Sequence, residues 1–251
     1  MGYALITGAS SGIGAALALK LGKEGYDLIL LGRDTAKLDK LSRMITELFR
    51  VCVLTYKVDL RNEAEIKNFI IKLEKINRPI TIFVNNAGVG SFGEFAKTEM
   101  DIDIINVNIK ATTMLVKMMI PLLEKDAHIL QVASTAGFTP GPYMAMYYAS
   151  KAYMISFSLA LRKELGDIKV SVLCPGAVKT NFQARANIQK VGYVKFLQVH
   201  PSVVAKVAYK GIMKNKPIII VGLANKVIVN LGKILPYSMQ TNIVTATQSK
   251  K

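Results

Sequence analysis

Two adjacent tyrosines precede a lysine in the stretch YYASKAY, residues 147–153. A free phenol has a pKa near ~10, too high for efficient acid–base catalysis at neutral pH, and a neighbouring ammonium would lower it. Residues three and four apart share one face of a helix, so Tyr148 and Tyr147 are both candidates to lie beside Lys151. The spacing indicates a tyrosine–lysine pair for proton transfer and leaves the choice of tyrosine open.

A glycine-rich turn, TGASSGIG, directly follows the first apolar run, YALIT. Its glycines allow a tight turn off a strand and close approach of the backbone to a pyrophosphate, and the following helix offers unpaired N–H groups to an anion. The pattern predicts a dinucleotide site. Its candidate residues are Gly8, Ser10, Ser11, Gly12, Ile13 and Gly14.

The end of the second predicted strand, LLGRD, bears on the choice of cofactor. An NAD site favours a carboxylate at the strand end, whereas here Gly32 occupies that place and Arg33 follows. A guanidinium beside the ribose suits a 2′-phosphate, so NADP(H) is favoured over NAD(H). Asp34 argues mildly for NAD(H), although it could instead cap the next helix.

Short apolar runs alternate with segments of helical period along the chain. Nearly continuous hydrophobicity within the runs is typical of strands buried on both faces. The pattern predicts an α/β fold: a doubly wound, Rossmann-type, mostly parallel seven-stranded sheet with helices on both faces. We expect a single domain over residues 1–251, with a substrate loop at about 181–200 and a less regular C-terminal extension at about 222–251.

Two predicted helices show a clear apolar face at helical spacing. The expected buried residues are Leu38, Leu41, Ile45 and Leu48 in the first, and Ile66, Phe69, Ile70 and Leu73 in the second. A later apolar stretch, residues 217–236, approaches transmembrane length but is interrupted by lysines and glycines. It favours a covering helix or a subunit contact, with a helix lying on a membrane surface as the alternative.

The composition favours a folded protein with a basic surface. Apolar residues make up 51% of the 251 residues, and the formal net charge is +16. The lysines and arginines are scattered, which indicates a lysine-rich surface with no specific nucleic-acid site; weak association with anionic membranes remains an alternative. Cys52 and Cys174 lie in apolar segments and are expected to be buried thiols. These features, and the lack of a signal-peptide pattern, favour a cytoplasmic location, and no metal-ligand spacing is present.

Four motifs in order make the chain resemble the short-chain dehydrogenase/reductase family over roughly residues 1–185. They are TGASSGIG, NNAG at 85–88, YYASK and PGAVKT at 175–180. The family's Tyr-x-x-x-Lys motif selects Tyr147, and its catalytic serine lies thirteen residues earlier, where this chain has Ser134. The resemblance implies that Tyr147 is the general acid/base, that Ser134 holds the substrate oxygen, and that Lys151 binds the nicotinamide ribose and lowers the pKa of the tyrosine.

The resemblance also implies a further catalytic residue and a set of cofactor contacts. The family's helical asparagine matches Asn108 in VNI better than Asn106. The remaining implied cofactor-binding residues are Asp59, Leu60, Asn86, Ala87, Gly88, Pro175, Gly176, Val178 and Thr180. Family members are mostly dimers or tetramers, so we expect a homodimer or homotetramer that associates through the long helices near 101–120 and 148–165.

The substrate end is less informative. Apolar and aromatic residues suggest a pocket for an apolar ketone or alcohol, or merely a packed lid; they are Phe138, Tyr143, Met144, Phe182, Tyr193, Phe196 and Leu197. The expected activity is NADP(H)-dependent hydride transfer between nicotinamide and a ketone or secondary alcohol. The alternatives are a 3-oxoacyl-thioester reductase of lipid synthesis and a non-catalytic dinucleotide-binding regulatory protein. The four intact catalytic positions argue against the last.

Overall fold

Seven strands form one parallel sheet in the computed structural model, which describes residues 2–76, 78–186 and 198–248. The strands lie in the order β3-β2-β1-β4-β5-β6-β7, and each neighbouring pair is parallel. Their bounds are β1 Tyr3–Thr7, β2 Asp27–Gly32, β3 Val53–Lys57, β4 Ile80–Asn85, β5 Leu123–Val132, β6 Lys169–Cys174 and β7 Ile218–Ile220.

Helices connect the strands and cover both faces of the sheet. Their bounds are α1 Gly12–Lys23, α2 Thr35–Phe49, α3 Glu63–Leu73, α4 Asp101–Ile104, α5 Thr112–Met119, α6 Ala145–Glu164, α7 Phe182–Arg185, α8 Pro201–Met213, α9 Leu223–Gly232 and α10 Tyr237–Gln248. A π-helical segment, Ile105–Ala111, joins α4 to α5 in one long helix. None of the helices in the described ranges is long and apolar enough to cross a bilayer.

The central strand β1 shows how the sequence builds two cores. All five of its residues are buried. Because side chains alternate along a strand, Ala4 and Ile6 pack on the side covered by α1, α2 and α8, whereas Tyr3 and Leu5 pack on the side of α3, α5 and α6. The chain leaves β1 for β2 on one side and later returns to β4 on the other. That reversal of strand order opens a crevice at the carboxyl ends of β1 and β4, where open α/β sheets bind ligands.

The predicted fold class is confirmed, with corrections at its margins. The inward face predicted for α3 is buried, and Leu38, Leu41 and Ile45 of α2 are buried as expected. The prediction for Leu48 was wrong, because this side chain is 63% exposed near the end of α2. Phe49 turns inward instead, toward Gly22 of α1, before Arg50 ends the helix in a left-handed conformation.

Two further expectations fail near the sheet edges. Cys52 is exposed, because it precedes the edge strand β3, whereas Cys174 is buried in β6 as expected. The C-terminal extension is more regular than its sequence suggested, since α9 and α10 occupy most of residues 223–248.

Candidate active site

The glycine-rich turn after β1 adopts backbone conformations in which residues with a side chain would be strained. Gly8 and Gly12 have φ values of +64° and +59°. A Cβ on Gly14 would lie 2.4 Å from the carbonyl oxygen of Gly8, so the helix packs against the turn only because this side chain is absent. The turn therefore delivers the N-terminus of α1, with the unpaired N–H groups of its first turn, to the crevice.

A cavity of about 650 Å³ lies along the carboxyl ends of the strands. Its size falls within the range of ligand pockets, roughly 300–1,000 Å³. Most of the site residues predicted from sequence line it: Gly8, Ser10, Ser11, Gly12, Ile13, Arg33, Asp59, Leu60, Asn86, Ala87, Gly88, Ser134, Tyr147, Lys151, Pro175, Gly176, Val178 and Thr180. The structure thus brings together positions from all three thirds of the sequence.

Two of the predicted residues do not line the cavity. Gly14 packs behind the turn, as described above. Asn108 is fully buried in the π-helical segment, where its amide oxygen accepts from Val89 N–H at 2.9 Å and its amide nitrogen donates to Val89 O at 2.9 Å. The same nitrogen donates to Ser150 Oγ at 3.0 Å. Asn108 therefore holds the loop after β4 in place, and it influences the site through the position of that loop.

The far end of the cavity is lined by cations. Arg33 is exposed there, and Lys37 lines the same wall. The Asp34 carboxylate caps α2, accepting from Lys37 N–H at 3.1 Å and pairing with Lys37 Nζ at 2.6 Å. Asp59 is paired with Arg61 Nη2 at 2.6 Å, and these hydrogen bonds lower the pKa of its carboxyl. Both carboxylates are therefore partly neutralised, and an anionic group would meet mainly positive charge.

Thr7, at the end of β1, is a buried anchor that the sequence analysis did not single out. Its hydroxyl accepts from the N–H groups of Asn86 and Ala87, both at 2.9 Å, and lies 3.3 Å from Asn85 Oδ1. The Asn86 side chain donates to Thr7 O at 2.8 Å. One hydroxyl at a strand end thus sets the position of the NNAG segment, and only the three-dimensional pairing of β1 with β4 makes this visible.

Tyr147, Ser134 and Lys151 converge at the other end of the cavity. The Ser134 hydroxyl, which donates to Pro175 O at 3.4 Å, lies near enough to the Tyr147 side chain to lower the pKa of its phenol. Lys151 is 4% exposed; its Nζ donates to Val132 O at 3.0 Å and lies 5.7 Å from the centre of the Tyr147 ring. The helix α6 places tyrosine and lysine one turn apart, and the end of β5 supplies the serine.

Burial sets the protonation of this group in the protein alone. It raises the pKa of Tyr147 to about 12, a shift that the nearby Ser134 hydroxyl opposes, and it lowers the pKa of Lys151 to about 8. The net pKa of Tyr147 is thus raised, whereas the expected lowering effect of a Lys151 charge stays a prediction. The cause is desolvation, which disfavours both the phenolate and the ammonium in the same enclosed space.

Tyr148 occupies a different environment from its neighbour. Its hydroxyl accepts from Gln248 Nε2 at 2.7 Å, and its ring lies over the backbone of Gly141, where a Cβ would come within 2.2 Å. Gln248, the last residue of α10, also lines the cavity. Thus Tyr148 ties the C-terminal helix to the mouth of the site, a contact that the sequence analysis did not foresee.

The apolar end of the cavity differs in part from the predicted set. Phe182 and Met144 line it, and the Phe182 ring lies 5.3 Å from that of Tyr147. Phe138 does not line the cavity, because it packs toward α9 beneath Lys233, and Tyr143 turns away toward Phe92. Phe92, Met100 and Val107 take their places. Tyr193, Phe196 and Leu197 lie outside the described residues.

The residues present fit an anionic dinucleotide. Glycines that admit close backbone approach, a helix N-terminus, and the exposed cations Arg33 and Lys37 follow one another along the cavity toward the tyrosine–lysine pair. Within the described ranges, no group of His, Cys, Asp and Glu side chains could hold a metal ion.

Sequence comparisons agree with this geometry. The chain is 38% identical over 183 residues to a very-long-chain 3-oxoacyl-CoA reductase of Pyrenophora tritici-repentis, covering 68% of this chain and 53% of that protein. It is 32% identical over 213 residues to 11-beta-hydroxysteroid dehydrogenase-like 3 of Arabidopsis thaliana, covering 83% of this chain and 69% of that protein. The chain thus spans about half the length of the 3-oxoacyl-CoA reductases it matches.

Two solved structures and a family model complete the comparison. A short-chain dehydrogenase from Sphingobium yanoikuyae in complex with NADPH is 28% identical, with a TM-score of 0.81 over 94% of this chain and 96% of that one. A short-chain dehydrogenase/reductase from Burkholderia phymatum in complex with NAD is 25% identical, also with a TM-score of 0.81, over 92% of each chain. Residues 2–191 match the family model described as short chain dehydrogenase. The chain belongs to the short-chain dehydrogenase/reductase family.

Proposed function

We propose that the protein is an NADP(H)-dependent oxidoreductase that interconverts a ketone and a secondary alcohol. The observation that carries the proposal is the meeting of Tyr147, Ser134 and Lys151 at one end of a cavity whose other end has a glycine-rich turn and cations. A pure dinucleotide-binding protein needs the turn but has no use for the buried tyrosine and lysine.

Each catalytic residue has a separate task in reduction. A bound reduced nicotinamide supplies the hydride. Tyr147, which burial keeps protonated near neutral pH, donates its phenolic proton to the oxygen of the carbonyl as negative charge develops there. Ser134 donates a hydrogen bond to the same oxygen and stabilises that charge. Oxidation of an alcohol reverses these steps, with Tyr147 accepting the proton.

Lys151 and Asn108 support this proton transfer. A protonated Lys151 offers donors to the ribose of a dinucleotide and a positive charge that stabilises the phenolate left on Tyr147. Asn108 acts as a positioning residue: it holds both backbone polar groups of Val89, and Val89 lines the cavity beside Gly88. We propose that Pro175, Gly176, Val178 and Thr180 contact the nicotinamide and the pyrophosphate. Asp59 and Leu60 would lie beside the adenine.

The preference for NADP(H) over NAD(H) rests on the charge at the end of β2. Arg33 and Lys37 are exposed along the cavity. Of the two carboxylates at this end, Asp34 caps α2 and Asp59 is paired with Arg61. A 2′-phosphate would gain charge-assisted hydrogen bonds at this place, whereas a bare ribose has no free carboxylate to bind.

The substrate is proposed to be apolar. Phe92, Met100, Met144 and Phe182 line the cavity, and the Phe182 ring lies 5.3 Å from that of Tyr147. A 3-oxoacyl thioester is the second candidate. It is supported by the likeness to very-long-chain 3-oxoacyl-CoA reductases, and its acyl chain could pack against the same apolar side chains. We also propose that the protein is cytoplasmic and forms a homodimer or homotetramer. The exposed Ile102 and Ile105 on the long helix offer an apolar contact between subunits.

A substrate panel tests the proposal. Ketones, aldehydes, secondary alcohols and 3-oxoacyl-CoA thioesters of increasing chain length are mixed with the protein, and NADPH or NADH absorbance is followed. Turnover of apolar ketones with NADPH supports the main proposal, and rates that rise only with 3-oxoacyl chain length favour the thioester. Tight NADPH binding without turnover of any compound would instead support a regulatory dinucleotide-binding protein.

A further inference from the structure

An exposed apolar surface lies on α9 and on the turn that follows it. Leu223, Val227, Ile228, Leu231 and Ile234 are each more than half exposed. At 100° per residue the four positions within α9 fall within about 140° of arc on one side of the helix, and Ile234 lies in the turn that follows it. We call this surface the α9 face. Isolated exposed apolar residues need no explanation, but five on one face mark an interaction site.

Charged residues border the α9 face on one side only, and they are all basic. Lys226 and Lys233 are exposed, and both lie about 60–80° from Leu223 around the helix. An apolar face with flanking lysines is the pattern of a helix that lies in the interface plane of a bilayer. The lysine stems can follow the apolar surface while their ammonium groups reach the lipid headgroups.

The distribution of carboxylates along the chain indicates which partner binds the α9 face. Residues 168–251 contain 13 Lys and Arg and no Asp or Glu, whereas residues 1–167 contain 20 Lys and Arg and all 17 Asp and Glu. The C-terminal third therefore carries nearly all of the net positive charge. A second copy docked through the same face would bring like charges together with no carboxylate from this region to pair them, whereas an anionic lipid surface is complementary.

The helix α9 packs near the catalytic end of the cavity through the side opposite to the α9 face, where Val229 and Gly232 are buried. Asn225 lies so close to Gly176 that a Cβ there would come within 2.5 Å of its amide. Lys233 lies 5.7 Å from the centre of the Phe138 ring, in the turn that follows Ser134. The last residues of α10, Thr247 and Gln248, line the cavity itself. A membrane that holds the α9 face would therefore lie one helix away from residues that line the catalytic end of the cavity.

We propose that the α9 face docks the protein on anionic lipid membranes, so that an apolar substrate passes from the bilayer into the cavity. The passage of substrate rests on the proposed function, whereas the docking does not. Each lysine near an anionic surface contributes about fivefold to binding, and each buried methylene about fourfold. Docking should therefore require both acidic lipid and the apolar side chains.

Vesicle flotation tests the docking. The full chain is mixed with phosphatidylcholine vesicles, with or without phosphatidylserine, at low and high salt. The Val227→Asp/Leu231→Asp variant is compared with Met44→Asp/Leu48→Asp, which makes the same charge change at exposed apolar positions of α2, a helix beside β3 at the opposite edge of the sheet from β7. We expect phosphatidylserine-dependent, salt-sensitive binding that the α9 variant weakens by at least about tenfold and the α2 variant by much less.

Three results would overturn the docking proposal. They are no binding to either vesicle, equal binding to both, and equal losses in the two variants. A soluble dimer that dissociates only in the α9 variant would assign the face to a second copy instead. Turnover of a water-soluble ketone should be unchanged in both variants; a protein that floats with vesicles but has no turnover would refute the proposed function and leave the docking intact.

The absence of tryptophan from the chain provides a second, independent readout. Leu231→Trp introduces a single indole on the α9 face, and Leu48→Trp introduces one on α2. On phosphatidylserine vesicles, Leu231→Trp fluorescence should shift to shorter wavelength and be quenched by lipids with brominated acyl chains, while that of Leu48→Trp should not. Equal spectra for the two variants on vesicles would contradict insertion of the α9 face.

Discussion

At the residue scale, two adjacent tyrosines of α6 are separated by their partners. Tyr147 meets Ser134 and the Lys151 amine inside the cavity, whereas Tyr148 accepts a hydrogen bond from Gln248 at its mouth. Helical spacing allowed either tyrosine to pair with the lysine, because both lie within one turn of it. The family motif and the spacing to Ser134 selected Tyr147 from the sequence, and the structure places Ser134, after the end of β5, in the same cavity as this tyrosine.

Cofactor preference is also decided at this scale. Arg33→Ala should weaken NADPH binding by about tenfold or more, because it removes a charge-assisted contact to the 2′-phosphate, and should change NADH binding by less than about threefold. Dissociation constants measured by fluorescence titration of both cofactors check this. Arg43→Ala, which removes an exposed charge of α2 that does not line the cavity, is the matched control. A parallel loss for NADPH and NADH would refute the assignment of Arg33.

At the element scale, the π-helical segment Ile105–Ala111 connects the long helix to the site. It carries Asn108, whose amide makes three buried hydrogen bonds to Val89 and Ser150. Ser150 in turn donates to Tyr147 O at 2.7 Å. The loop after β4 and the helix α6 are therefore held in register by one side chain, which lies behind the cavity wall.

Removing that side chain should be costly. Asn108→Ala leaves the Val89 N–H and carbonyl groups without their partner and is expected to lower the free energy of unfolding by about 2–4 kcal/mol. Urea denaturation followed by circular dichroism measures this loss. Asn106→Ala, at the less buried asparagine of the same segment, should cost less than about 1 kcal/mol. Equal costs for the two variants would show that the contacts to Val89 are not important for stability.

The elements themselves were largely predictable, because their signals are local. Continuous apolar runs predicted the strands, and the spacing of Ile66, Phe69, Ile70 and Leu73 predicted the buried face of α3. Thr7 could not be recognised, because its partners are 78–80 residues away in the chain and become neighbours only when β1 pairs with β4. Leu48 followed the helical pattern of α2, but at the end of the helix Phe49 turns inward in its place.

At the scale of the whole molecule, the uneven distribution of charge was not recognised from the sequence. The lysines are spread along the sequence, which suggested a uniformly basic surface. The asymmetry lies in the carboxylates, which end at Asp167. The uneven distribution of net charge is thus seen from the positions of the carboxylates and not from those of the lysines and arginines.

The buried His128 should make the stability of the whole fold depend on pH. Burial, together with the charges of Arg162 and Lys169, lowers its pKa to about 4. The unfolded chain, with an ordinary histidine pKa near ~6.5, therefore takes up the proton first as pH falls. Stability should be full above pH ~6.5 and fall by up to about 3 kcal/mol between pH ~6.5 and ~4.

Urea unfolding across this pH range tests the role of His128. The imidazole hydrogen-bonds Ser171 Oγ at 2.8 Å, so His128→Gln should lose some stability at pH 7 through the altered contact. It should nevertheless lose less than the wild-type protein as the pH is lowered. A variant that keeps the wild-type pH dependence would show that other groups cause it.

The central claim is that the Tyr147 phenol is the proton donor of an NADP(H)-dependent reductase. The most direct test is single-turnover reduction of the best ketone or thioester by Tyr147→Phe and by its matched control Tyr148→Phe, with NADPH affinity measured for both. We predict that Tyr147→Phe reduces the rate of hydride transfer by about 10²–10⁴-fold while NADPH affinity stays within about threefold, and that Tyr148→Phe retains most of the rate. A Tyr147→Phe enzyme that turns over at the wild-type rate would contradict the claim.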